Sequence, residues 1–285
     1  MTATTTTPVP VTTRTASGPT FGRVVASEWT KLASLRSPWW TAAVTVLVSL
    51  LITYLSAQAS SVDPVFHPLS DVNTGLLLGQ LGPLVLGVLV GAGEFRTGAF
   101  RSTFTVVPRR WPVLAAQTVV VGGFGLLLGV AVAVAGVLGV VPAAMARDVP
   151  VDLGADGTPG VLLGMVLYVA GLALLGFALG ALLRRTVPAL LTAFVLVLIL
   201  PIVLMLADDP YGGSMSAADV RVTPLGTIGV LLPGTGGQLM TMPASNGPID
   251  GSPDLGPVGG GLVLAAWVLA FLVAAAVRLR SRDVR

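Results

Sequence analysis

Six stretches of this chain contain no Asp, Glu, Lys, Arg or His: Trp39–Gln58, Thr74–Ala92, Pro112–Val141, Gly160–Leu183, Val187–Ala207 and Gly259–Val277. Each is near or above the roughly 20 residues that a helix needs to cross about 30 Å of hydrocarbon at 1.5 Å per residue. The third stretch has surplus length, which tilt or extension beyond the hydrocarbon would absorb. Between and around them lie all the charges of a 285-residue chain that is 54% hydrophobic and only 10% charged. Soluble domains carry about 25% charged residues, so a single globular core cannot hide this much apolar surface and a bilayer is the expected solvent. The expected fold is therefore an all-α integral membrane protein with six transmembrane helices.

The basic residues set the expected orientation. With the N-terminus inside, 14 of the 16 basic residues fall on the cytoplasmic side, leaving Arg147 and Arg221 outside. The positive-inside rule counts those residues and predicts an N-in, C-in topology. Ten aspartates then lie outside, against Glu28, Glu94 and Asp283 inside. Lys31 is the only lysine. Together with the Ala, Gly and Val excess, that bias fits a GC-rich bacterial coding sequence and a bacterial plasma membrane. Residues 1–20, rich in Thr and Pro, read as a disordered cytoplasmic tail rather than a cleavable leader, and 21–285 as one six-span domain.

Two amphipathic elements flank the spans on the expected cytoplasmic side. Phe21–Ser37 gathers Phe21, Val25, Trp29, Leu32 and Leu35 on one arc, with Arg23, Ser27, Thr30 and Ser34 opposite, and should lie in the membrane plane. Glu28 projects from within the apolar arc. A carboxylate there needs a partner, either Lys31 three residues on or a basic group on a neighbouring element. The second element is GEFRTGAFRSTFTVVPRR, Gly93–Arg110, with Gly91 and Gly93 loosening the end of the second span and Pro108 and Pro112 bracketing the third. Phe100 and Phe104 share a helical face, as do Phe95 and Ala99, while Glu94 and Arg101 lie two turns apart on another. Taken alone, this predicts a short amphipathic helix resting on lipid headgroups.

Chemistry-bearing motifs are few. The chain has no cysteine, which removes disulfides, thiolate metal sites and a Cys nucleophile. No G-x-x-x-x-G-K-[ST] phosphate loop occurs. His67 is the lone histidine, and Asp148, Asp152 and Asp156 are interrupted by Pro150 and Gly154, so solvated outer loops are expected there rather than a metal site. Gln80 and Gln117 are the notable polar groups inside spans, where interhelical hydrogen bonding is the simplest role. Five GxxxG spacings (Gly75/Gly79, Gly87/Gly91, Gly125/Gly129, Gly160/Gly164, Gly176/Gly180) permit close helix contacts, a dimer seam among them. The outer region 208–258 is longer than a plain loop, and Val222–Met240 within it is too broken by Pro and Gly to span, so it should re-enter or lie on the outer surface.

SEWTKLASLRSPWW (Ser27–Trp40), EFRTGAFRSTF (Glu94–Phe104) with PRR (Pro108–Arg110), LLPGTGGQL (Leu231–Leu239) and the terminal RDV (Arg282–Val284) resemble the permease subunits of ABC-2 type ABC transporters, specifically the actinobacterial-type export permeases. The likeness runs from about Glu28 to the end, with Gly236 standing where that family usually has alanine. It implies an export half-transporter whose two permease subunits, a homodimer or a pair with a similar permease, line a pathway. Two separate ABC ATPase subunits would carry ATP and Mg, so the chain itself would bind no cofactor and be no enzyme. It also implies a cytoplasmic coupling helix between spans two and three. The ATPase-coupling surface would comprise Glu28, Lys31, Glu94, Phe95, Arg96, Gly98, Arg101, Arg109 and Arg110, and the 222–240 segment would cap the pathway.

Rival classes fare less well on sequence. An embedded enzyme needs acid, base, nucleophile or metal ligands near the membrane, and an ion-coupled carrier needs an ionisable group inside the bundle; the six stretches offer neither. A non-transporting membrane anchor or assembly protein is the alternative that survives. Lipid is an expected partner, and nothing points to nucleic acid.

Overall fold

The computed structural model describes residues 20–97, 111–154, 157–209, 221–243 and 247–281, apart from the side chains of 94–97, 111, 280 and 281. Among them the fold is helical, with six helical stretches long and apolar enough to cross a membrane. A surface helix α1 (Phe21–Ser34) precedes α2 (Arg36–Ser60). The second span covers Pro68–Gly93, entering through short helical turns and continuing as α3 (Leu81–Thr97). Then come α4 (Trp111–Ala146), α5 (Thr158–Leu183) and α6 (Thr186–Ala207). Two short helices, α7 (Pro224–Val230) and α8 (Pro233–Gln238), lead to the last span, α9 (Gly256–Ser281).

Helix α5 is the hub, because its small residues let neighbours reach its backbone. Gly176 and Gly180 sit against the Leu84 and Val88 carbonyls of α3, and Gly87 and Gly91 of α3 sit against the Ala173 and Phe177 carbonyls of α5. Any Cβ at these four positions would meet backbone. Gly125 and Gly129 of α4 meet Ala170 and Val166 of α5 in the same way, while Gly75 and Gly79 meet Ser49 on α2. Four of the five GxxxG pairs are thus consumed inside one chain, and in the fifth Gly164 faces Met240 while Gly160 faces open space. By contrast α2, α6 and α9 turn most of their surface outward, exposing Leu47, Leu51, Val187, Leu191, Leu262 and Leu269. Such a ring would aggregate in water and suits hydrocarbon.

Prolines explain two of the departures from the expected boundaries. The Phe21–Ser37 element divides at Leu35, whose ψ of 136° is extended. Pro38 cannot donate to Ser34 and would crowd its carbonyl, so α1 ends at Ser34 and Pro38 falls in the first turn of α2. Pro201 likewise has no N–H for Val197, and α6 widens into a π-helical turn over Val195–Ile199. Helix α4 passes Pro142 and continues to Ala146, five residues beyond the expected end at Val141. Gly91 and Gly93 do not end α3, which runs on to Thr97, because Gly91 is packed on α5.

A further correction concerns charge. The second span begins at Pro68 rather than Thr74 and therefore takes in Asp71, which is 9% exposed and accepts a 2.7 Å hydrogen bond from Ser56 Oγ on α2. The bundle thus holds a carboxylate that a reading of the uncharged stretches alone leaves outside.

Candidate functional site

At the Arg184 end of the bundle, α1 lies across α4. Its buried stripe is Val24, Glu28 and Leu32, one residue every four, so a carboxylate sits in the middle of the packed face. Leu32 packs with Leu86, Val120 and Phe124. Trp29 of α1 and Trp39 of α2 both meet the Phe124 ring, at centroid distances of 6.5 Å and 5.5 Å. The expected apolar arc is rotated: Phe21, Trp29 and Leu35 stay exposed while Val24 and Glu28 turn inward, because α1 packs on protein rather than floating on lipid.

Glu28 is 8% exposed and both carboxylate oxygens are occupied. Lys31 Nζ lies 2.5 Å from Oε1, and Gln117 Nε2 of α4 donates to Oε2 at 3.2 Å. Lys31 is therefore the ionic partner, and the second partner is a neutral amide on another helix, not the basic group that the sequence offered as the alternative. Lys31 keeps its ammonium at the surface, so the positive charge remains solvated while the negative one is buried. Burying a carboxylate is tolerable only when its lone pairs are met, which Lys31 and Gln117 do together.

Of the other expected site residues, Glu94, Phe95 and Arg96 have their backbone in the last turns of α3, at the same end as α1. Their side chains lie outside the described residues, as do Gly98, Arg101, Arg109 and Arg110 entirely. Nearby, Arg278 of α9 donates to the Leu182 carbonyl at the end of α5, and Arg184 donates to the Arg278 carbonyl at 3.4 Å. These cations meet carbonyls that a helix C-terminus leaves unpaired.

A second polar constellation lies deep in the opposite half. Tyr168 of α5, fully buried, donates to Gln80 Oε1 at 2.6 Å, and Gln238 of α8 donates to the same oxygen at 3.3 Å. Gln80 Nε2 donates to the Leu77 carbonyl, so both ends of the amide are used. Thr241 bonds the Gln238 carbonyl, and Asn73 bonds the Thr241 carbonyl at 2.7 Å, continuing the chain toward the His67 end. Gln80 and Gln117 thus both bond across helices.

The partners of this chain locate the 222–240 segment, which re-enters the bundle. The Tyr168 hydroxyl lies 3.4 Å from the Gly234 carbonyl, and Trp267 Nε1 donates to the Leu231 carbonyl at 2.8 Å. Tyr168 is ten residues into α5 and Trp267 eleven into α9, about 15 Å from the helix ends at 1.5 Å per residue. Gly234 also rests on the Val197 carbonyl, whose usual donor four residues on is replaced by Pro201. The α7–α8 hairpin therefore reaches about 15 Å along the bundle from the starts of α5 and α9. Tyr168 and Gln238 were missed by sequence reasoning, although a hydroxyl inside an otherwise apolar fourth span was the available signal.

Among the described residues, no three His, Cys, Asp or Glu side chains gather as metal ligands. Asp152 instead caps a local turn through the Gly154 N–H. No protein-family model matches this sequence, and a search of curated proteins gives no match either.

Proposed function

We propose that this chain is the membrane-spanning permease subunit of an ABC-2 type ABC transporter, an exporter in the bacterial plasma membrane with both termini cytoplasmic. Two such subunits, or one with a similar permease, form the translocation pathway, and a separate ATPase subunit binds ATP and Mg and drives it. The observation that carries this reading is the burial of Glu28 between Lys31 and Gln117. A helix that merely rests on headgroups gains nothing from placing a carboxylate in its packed face. One that must hold its position under load gains a directional bond to a span. The end of α3, with Glu94, Phe95 and Arg96, emerges at the same end, so Lys31 and the 94–110 segment would form the socket for the ATPase while buried Glu28 holds α1 in place behind it.

Co-expression with an ABC ATPase encoded beside this chain tests the reading. The two should co-purify, while the chain alone should hydrolyse no ATP. Glu94→Arg or Arg101→Glu should leave expression and dimerisation nearly normal yet lower ATPase association at least several-fold, since an unpaired charge in such a contact costs about 2–5 kcal/mol. A segment that only touches lipid would lose about 1 kcal/mol when Arg101 is removed and would tolerate Glu94→Arg. Full ATPase binding by Glu94→Arg would return the segment to the lipid surface, and absence of any ATPase partner would favour a membrane anchor or assembly protein.

A further inference from the structure

Helix α1 is joined to α2 by one extended residue, Leu35, which is 58% exposed. A single-residue break that is mostly exposed is a pivot, not a strut. Across that break Trp39 Nε1 donates to the Ala33 carbonyl at 3.0 Å, close to the pivot, where it offers little leverage. The bonds that would resist swinging lie elsewhere. Glu28 Oε2 is held by Gln117, Trp29 meets Phe124, and Leu32 packs with Val120 and Phe124 as well as with Leu86 of α3; Gln117, Val120 and Phe124 all belong to α4. Helix α4 is also the element into which the 98–110 segment leads directly, since it begins at Trp111.

We infer that α1 is a lever mounted on α4, clasped by Glu28–Gln117 and the Trp29–Phe124 contact, and that its chain link to α2 serves only as a flexible tether. In this arrangement α4 continues the 98–110 segment through the covalent chain and holds α1 through the clasp. Gln117 is then a positioning residue: its amide donates to the Glu28 carboxylate, and it fixes where α1 sits. The inference stands on α1 and α4 alone and does not require an ATPase partner.

The chain lacks cysteine, so paired spin labels can be placed at will in the full-length protein in lipid nanodiscs. Ser27→Cys on α1 and Leu127→Cys on α4 are both exposed. Their distance distribution should be narrow, and inserting two glycines between Leu35 and Arg36 should leave it unchanged. Gln117→Leu combined with Phe124→Ala should broaden it several-fold, and Gln117→Leu alone should broaden it measurably. A control pair within the bundle, Leu127→Cys with Leu163→Cys, should stay narrow throughout. Broadening by the glycine insertion would overturn the inference, as would a narrow distribution in the clasp variants. Simultaneous broadening of the control pair would also overturn it, because the clasp would then be holding the bundle rather than positioning α1.

Discussion

Glu28 carries one full charge, and its surroundings answer it with one cation and one amide. That division has energetic consequences that single and double substitutions separate. Glu28→Ala leaves the buried Gln117 amide without its acceptor, and Gln117→Leu leaves a carboxylate oxygen without its donor; each should cost about 1–3 kcal/mol. Replacing both with leucine removes the polar requirement at once and should cost distinctly less than the sum, because breaking a buried polar pair is worse than deleting it. Thermal unfolding of the purified chain in detergent measures this. Strict additivity would show that the two side chains do not bond.

Helices in this protein meet through missing side chains, and the fourth span contains its own control. Gly160 and Gly164 are one GxxxG pair, yet a Cβ at Gly160 meets nothing within 4 Å while one at Gly164 would overlap the Met240 carbonyl. Gly160→Ala should therefore be neutral or stabilise the helix by about 0.5–1 kcal/mol, by removing glycine's entropy cost. Gly164→Ala should destabilise, since backbone of the re-entrant segment would have to move. Equal effects on melting temperature would count against the packing. The deep clasp on that segment is weaker: an interhelical hydrogen bond in a membrane is worth about 0.6 kcal/mol on average. Tyr168→Phe should thus barely change global stability, yet it should raise hydrogen exchange selectively within Pro224–Gln238. A uniform rise across all six spans would instead assign Tyr168 to the core at large.

At the scale of the whole molecule, the six spans leave one open question of hand: which end faces the cytoplasm. The 14-to-2 division of basic residues argues for the Arg184 end. Single cysteines labelled with a membrane-impermeant reagent in intact cells should react at His67→Cys, Asp156→Cys and Gly247→Cys, and should be silent at Arg109→Cys and Arg185→Cys. Reaction at Arg109→Cys would invert the topology and move the Glu28 clasp to the outer face.

The number of spans, their approximate positions and the need for Glu28 to find a partner were all legible in the residues, because each follows from a local rule. A run of uncharged residues must leave water, and a carboxylate on an apolar stripe must be met. Lys31, three residues away on the same helix, was legible for the same reason. Gln117 was not, since it is 89 positions distant from Glu28 and only the crossing of α1 over α4 brings the two together. Tyr168, Gln80 and Gln238 come from three elements in the same way. The glycine spacings announced close contacts but could not say with what, because any helix face can accept a residue without a side chain. Local chemistry determined which segments enter the membrane, and only the packing of distant helices decided which polar groups meet there.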